Sequence, residues 1–268
     1  MSTSGLKPLG SLLDGNLIKT MAKVAKEQGI DFSDQKQMEK DAEKYRIKTH
    51  NNWLDESGKS KLQSYYRKSL FEAGQPLHFQ FSDWNPDLQE NQERAREVAR
   101  QAFYLTAQME QKPMKVLLIG DPGTGKTSLA LAMMTRLQNQ KKSAMFVSST
   151  ELVSLFWKSY RYDDARKRKD IIIKAMKDVD VLVIDDFGTE GGVNGDKEAQ
   201  RDVQQAIKEV ATARYDTDNN KVLRSTIVTT NNSINELQRI YNPKLISRLV
   251  PHRKNQQIDF TGLEDMRE

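Results

Sequence analysis

The stretch from Lys115 to Leu137, KVLLI-GDPGTGKT-SLALAMMTRL, restricts the fold more than any other part of this chain. Five residues of strand character run without a spacer into a glycine-rich turn, and the turn runs directly into a segment with apolar residues at helical spacing. Glycines there let successive backbone N–H groups turn inward around an anion, and the first turn of the following helix adds the positive end of its dipole. The spacing is that of a P-loop, with Gly120, Asp121, Pro122, Gly123, Thr124, Gly125, Lys126, Thr127 and Ser128 forming the cradle. Lys126 is expected to neutralise the terminal phosphates of ATP, and the Thr127 hydroxyl to ligate Mg²⁺.

A P-loop that hydrolyses its nucleotide needs an acid reaching the metal from a nearby strand, and VLVIDDFG supplies four apolar residues followed by Asp185 and Asp186. Asp185 is expected to orient the magnesium shell. Asp186 then stands where it can polarise the attacking water, a task often given to the longer Glu. Further strands are expected at Ala144 to Ser148, Thr226 to Thr230 and Gln257 to Phe260, with helices between them. One helix is clear from Lys197 to Arg214, where Val203, Ala206, Ile207, Val210 and Ala211 form a stripe. Ser233 with Glu236 makes a capping box, and Asn242 before Pro243 marks another helix start. The expected fold is α/β, with about five parallel strands flanked by helices.

Residues 1–73 read differently, as a polar, helix-forming segment of short amphipathic helices carrying Leu13, Leu17, Met21 and Val24, then Met38, Ala42 and Tyr45, then Leu62, Tyr65, Tyr66 and Leu70. We place a boundary near Ala73, a connector over residues 74–90, and the ATPase domain over 91–268. The connector carries two prolines and several aromatics, among them Phe79, Phe81 and Trp84, which suggests a segment laid against the larger domain. The 268 residues contain no cysteine and three histidines, which excludes disulfides and leaves no structural zinc cluster. No apolar run is long enough to span a bilayer, and no leader pattern opens the chain, so a cytoplasmic location and no membrane partner are expected. A net charge of +5 is compatible with a nucleic-acid partner without requiring one.

Between the second and third strands lies ELVSLFWKSYRYDDARKRKD. Leu152, Leu155 and Phe156 fit a buried helical face, which leaves Trp157, Tyr160 and Tyr162 interleaved with Lys158, Arg161, Arg166, Lys167, Arg168 and Lys169. Stacking surfaces mixed with backbone-neutralising charge are what single-stranded nucleic acid needs, and Tyr160, Arg161, Arg166, Lys167 and Arg168 are the candidate contacts.

From about Gly74 to Arg267 the chain resembles the AAA+ helicase-loader family of the DnaC and DnaI type, and the related transposition helper ATPase IstB. The likeness rests on an ordered set: AGQPLHFQFSDWNP, the P-loop, VLVIDDFGTE, the ARY at Ala213 to Tyr215, IVTTN at Ile227 to Asn231, ISRL at Ile246 to Leu249 and DFTGLEDMR near the end. The resemblance implies that Asn231 is the sensor 1 residue, Arg248 the arginine finger acting in trans, and Arg267 the sensor 2 residue. Arg214 is the competing finger candidate, or else a member of a structural ion pair. It also implies an ATP-bound homo-oligomer that loads a DnaB-type hexameric helicase, held by the amino-terminal domain, onto single-stranded DNA. The segment around Tyr160 would then be the element facing the central channel. An IstB-like helper of a transposase, or a nucleotide-dependent adaptor that barely hydrolyses ATP, are the alternatives.

Overall fold

The computed structural model describes residues 60, 62–189 and 199–267. The chain divides into two compact units, Met1–Ser57 and Gly58–Glu268. Most of the amino-terminal stripes, the glycines at 191, 192 and 195, and Lys197 at the expected helix start lie outside the described residues.

In chain order the elements are α1 (Gln92–Gln111), β1 (Lys115–Ile119), α2 (Lys126–Asn139), β2 (Ala144–Ser148), α3 (Ser149–Ser159), α4 (Asp163–Asp178) and β3 (Val181–Asp185). They continue with α5 (Arg201–Ala213), β4 (Tyr215–Asp216), β5 (Lys221–Val222), β6 (Ser225–Thr230), α6 (Ile234–Ile240), α7 (Pro243–Leu249) and β7 (Gln257–Asp259). Five strands form one parallel sheet in the order β2-β3-β6-β1-β7, while β4 and β5 pair as a small antiparallel hairpin. The sheet is covered on both faces, so its strands are nearly continuous apolar runs.

Alternation along each strand sorts the core into two layers. Val116, Leu118, Phe146, Val183 and Ile227 pack with α1 and α2, where Val98, Leu105, Met109, Leu129 and Met133 are buried. Leu117, Met145, Val147, Leu182, Ile184 and Val228 face the other way, onto α3, α4, α5, α6 and α7. Residues 69–71 belong to this unit: Leu70 joins one layer and Phe71 the other, stacked on Phe146 at 4.8 Å. The connector lies on the same body, with Phe79, Phe81 and Trp84 against the α1/α2 layer. The Trp84 indole N–H donates to the Ala95 carbonyl at 3.1 Å.

Local signals account for the helix starts. Asn91 accepts from Arg94 N–H at 3.1 Å at the head of α1. The Ser233–Glu236 box is closed in both directions, at 3.3 and 2.7 Å. Asn242 caps α7, with Pro243 as its first helical residue.

Arg214, considered as a rival finger or an ion-pair member, is buried and among the described residues bonds to backbone carbonyls and a hydroxyl rather than to a carboxylate. It is 3% exposed, and its guanidinium donates to the carbonyls of Met176 (2.8 Å), Val179 (2.7 Å), Asp180 (3.3 Å) and Ser225, and to the Thr226 hydroxyl (3.0 Å). It gathers the end of α4, where carbonyls run out of intrahelical partners, onto the entry of β6. A guanidinium suits this place because it offers five donors in a plane. Arg214→Met should therefore lower the equilibrium stability of the nucleotide-free protein by about 3–5 kcal/mol in urea denaturation followed by circular dichroism. Arg214→Lys, with three donors from one point, should recover less than half of that loss.

Candidate functional site

The parallel strands present their carboxyl ends at one edge of the sheet, where crevices in such folds bind ligands. Three of those ends matter: β1 leads into the P-loop, β3 ends at Asp185, and β6, lying between them, leads to Asn231. The turn from Gly120 to Gly125 then enters α2 with Gly125 in the left-handed region at φ 92°. A side chain there would be strained and would also meet the Trp84 ring, 2.7 Å from an ideal Cβ. Gly123, at φ 76°, has the Asp265 carboxylate over the face where a Cβ would stand.

Pro122, Gly123, Gly125, Lys126, Thr127 and Ser128 line a cleft of about 200 Å³ together with Asp186, Asn231 and Arg267. The expected phosphate, sensor and water-activating residues thus meet in one place, although their sequence positions span much of the unit. Gly120, Asp121 and Thr124 contribute backbone or support rather than cleft wall. The Asp121 carbonyl accepts from Lys126 Nζ at 2.6 Å and from the Thr124 hydroxyl at 2.8 Å. Lys126 is 5% exposed; burial pulls its pKa below the usual lysine value, against the pull of Asp186, Asp121 and Asp185.

Asp185 lies beneath the cleft, accepting from the Thr127 hydroxyl at 2.9 Å and from the Thr229 hydroxyl at 2.6 Å. Burial is the largest influence on its carboxyl and, with the nearby charge of Asp186, raises its pKa to about 6 against the two hydroxyl donors. Asp186 takes φ 50°, unusual for a residue with a side chain, while its N–H donates to Thr229 Oγ1 at 2.9 Å. That turn carries the carboxylate out of the strand line and into the cleft. Thr229, Trp84 and Asp265 were missed by sequence reasoning; strand parity around Asn231 could have flagged Thr229, whereas nothing local marks the other two.

The chain's end completes the wall. Met266 N–H donates to the Gly123 carbonyl at 3.1 Å, and Arg267 pairs with Asp265 through two bonds of 3.0 and 3.1 Å. Arg267 therefore faces the P-loop with its charge already partnered.

Among the described residues no group of three or more acidic, histidine or cysteine side chains could hold a metal. The oxygen donors of Thr127 and Asp185 nonetheless fit Mg²⁺, which binds through one or two protein groups plus water and substrate phosphates.

Arg248 stands away from this cleft. It lies in α7 and donates to the Thr212 hydroxyl of α5 at 2.8 Å, in a separate hollow lined also by Lys177, Lys208 and Glu209. The aromatic and basic segment spans the end of α3 and the start of α4. Trp157, Tyr160 and Tyr162 are 60%, 48% and 59% exposed, and Arg161, Arg166, Lys167 and Arg168 are exposed too. Tyr160 is anchored: its hydroxyl donates to Asp202 at 2.5 Å and accepts from Gln200 at 3.0 Å. Arg166 is engaged by Asp163 at 3.2 Å.

The family model described as the ATPase family associated with various cellular activities matches residues 116–253, and the chain belongs to that family. None of the curated proteins compared with it matches. Among solved structures, AMPPCP-bound DnaA from Aquifex aeolicus aligns at TM-score 0.50 and 14% identity, covering 68% of this chain and 50% of that one. A DnaC helicase loader aligns at TM-score 0.48 and 22% identity, over 67% of this chain and 97% of that one. A replication initiator DnaA bound to AMPPCP and single-stranded DNA aligns at TM-score 0.45 and 15% identity, over 61% and 45%. The chain spans about half the length of the initiators it matches. Among the described residues no helix is long and apolar enough to cross a membrane.

The position of Asp185 sets a pH dependence. A carboxyl whose folded pKa lies above its unfolded value favours the folded state at low pH and works against it as pH rises through about 6. Asp185→Asn mimics the neutral form. In urea titrations without nucleotide it should be more stable than the parent by about 2–3 kcal/mol at pH 8, an advantage that shrinks to about half at pH 5.

Proposed function

We propose that this AAA-family ATPase loads a DnaB-type hexameric helicase onto single-stranded DNA, working as an ATP-bound homo-oligomer. The observation that carries the reading is a division of the machinery. Lys126, Asp185, Asp186, Asn231 and Arg267 gather at the P-loop, while Arg248 projects from α7 outside that cleft. A finger placed there serves a neighbour's nucleotide, which makes hydrolysis depend on assembly. The ordered likeness to the DnaC and DnaI loaders supports the choice of task, and the exposed aromatic and basic segment supports the DNA partner.

In this reading the P-loop backbone and Lys126 hold the β- and γ-phosphates. Mg²⁺, held by Thr127 and Asp185, would neutralise the charge that builds on the phosphoryl oxygens. Asp186 orients the attacking water and accepts its proton, Asn231 contacts the γ-phosphate or the water, and Arg267 leaves Asp265 for the phosphates. Arg248 from the adjacent protomer spreads the transition-state charge. The segment before Gly58 grips the helicase.

The test is deposition of a purified DnaB-type hexamer on circular single-stranded DNA, with ATP and with Lys126→Ala protein as the inactive control. Loading by the parent alone is the expected result; no gain over helicase by itself would remove the loader reading, and a transposase helper would then be sought. Steady-state ATP turnover with and without DNA separates a motor from an adaptor that barely hydrolyses.

DNA binding has two separable signatures in fluorescence anisotropy at several salt concentrations. Replacing Arg166, Lys167 and Arg168 together with Gln should make the slope of log affinity against log salt shallower by roughly 2. Tyr160→Ala should weaken binding by about 1–3 kcal/mol with the slope unchanged. Parent-like binding by both variants at every salt concentration would move the DNA contact elsewhere.

A further inference from the structure

Lys115 opens β1, the strand whose other end becomes the P-loop. A lysine at a strand entry ordinarily runs out to water, yet this one is 8% exposed. Its ammonium donates to the carbonyls of Ser247 at 2.9 Å and Val250 at 3.0 Å, and the Tyr215 ring lies 5.5 Å away. Among the described residues it forms no ion pair with a carboxylate. A buried cation without an anionic partner is expensive, and the negative end of a helix is one of the few environments that offsets it.

The two accepting carbonyls flank Arg248. They belong to the end of α7, a helix of seven residues whose buried anchors are Leu245, Ile246 and Leu249. Helices this short do not hold their last turn by their own hydrogen bonds, because the final carbonyls have no N–H ahead of them. At the other end of the arginine, its guanidinium rests on Thr212 in the isolated chain. That contact must be given up for a neighbour's phosphate. Once it is, Lys115 joins the Asn242 cap, the apolar anchors and the Ser247–His252 contact in fixing the backbone from which the side chain reaches, and among the described residues it alone holds the carbonyls on either side of the arginine.

We propose that Lys115 is a positioning residue for Arg248, clamping the end of α7 so that the guanidinium meets the adjacent protomer's γ-phosphate. The proposal rests on the reading of Arg248 as the finger. It assigns β1 two duties: at one end it carries the P-loop of its own nucleotide, and at the other it holds the helix that serves the next one. A small misplacement of a charged group at a reacting phosphate lowers rate far more than affinity.

The experiment uses full-length protein and the variants Lys115→Met, Arg248→Ala and Asp185→Asn, alone and in equimolar mixtures, with ATP turnover and affinity for a fluorescent ATP analogue as readouts. Lys115→Met should lose about tenfold or more in turnover while binding the analogue within about twofold of the parent. Its turnover should partly return on mixing with Asp185→Asn, whose own P-loop site is disabled and whose finger is intact. Mixing with Arg248→Ala should restore nothing, since both lack a working finger. A residue that merely supported its own protomer's fold would not sort with Arg248 in this way.

Parent-like turnover of Lys115→Met overturns the proposal. So does a loss that Asp185→Asn fails to restore while it does restore Arg248→Ala, and in that case the finger reading stands alone. If Arg248→Ala itself turns over like the parent, the finger reading falls and the role of Lys115 falls with it. Should Lys115→Met fail to melt cooperatively, Lys115→Gln, polar but too short to reach both carbonyls, is read through the same mixtures. Failure of both to fold would make Lys115 a fold residue only and overturn the proposal.

Discussion

Asp185 binds three elements into one site through two short hydrogen bonds, from Thr127 at the start of α2 and from Thr229 near the end of β6. The carboxylate is held in an apolar strand bundle, where an ionised group is disfavoured unless a cation or donors meet it. Two neutral hydroxyls only partly meet that need, which is why the group resists ionisation until about pH 6. A divalent cation beside the carboxylate would favour its ionised form. Thr229 also takes the Asp186 N–H, and so one threonine sets both acids relative to the P-loop.

The opposite edge of the sheet is organised by cations and carbonyls rather than by ion pairs. Lys115 and Arg214 enter from β1 and from the end of α5, and their partners are backbone oxygens at the ends of α7 and α4. Thr226 lies between the two, paired in register with Lys115 and bonded to Arg214. Helix termini supply several oxygens at fixed positions without side-chain entropy, which suits them to hold a buried cation.

Much of this was legible in the sequence because it depends on local pattern. Strands β1, β2 and β3 fall at the expected residues, β6 begins one residue earlier, and both capping signals on α6 and α7 are present. The P-loop and Asp186 could be placed in one cleft because motif order in a parallel α/β fold dictates which strand ends meet, whereas Asn231 and Arg267 were expected there only from the family resemblance. The β4–β5 hairpin went unread, since two-residue strands leave no periodicity to detect. Lys115 and Arg214 were opaque for a different reason: apart from the Thr226 hydroxyl their partners are backbone carbonyls, which carry no residue signature. Leu70 was assigned with the amino-terminal helices because its neighbours share a helical stripe, although its own packing is on the sheet.

That last residue has a consequence for assembly. β2 is the outermost strand on its side of the sheet, and an unpaired strand edge invites another chain to add to it. Here Leu70 bridges Val147, its N–H donating to the Phe146 carbonyl and its own carbonyl accepting from Ser148 N–H, while Ser69 Oγ accepts from Phe146 N–H. The edge is thus closed by the same molecule over the length where an intruding strand would start. Another chain cannot zip its sheet onto this one at β2, where residues 69–70 already hold the edge hydrogen bonds.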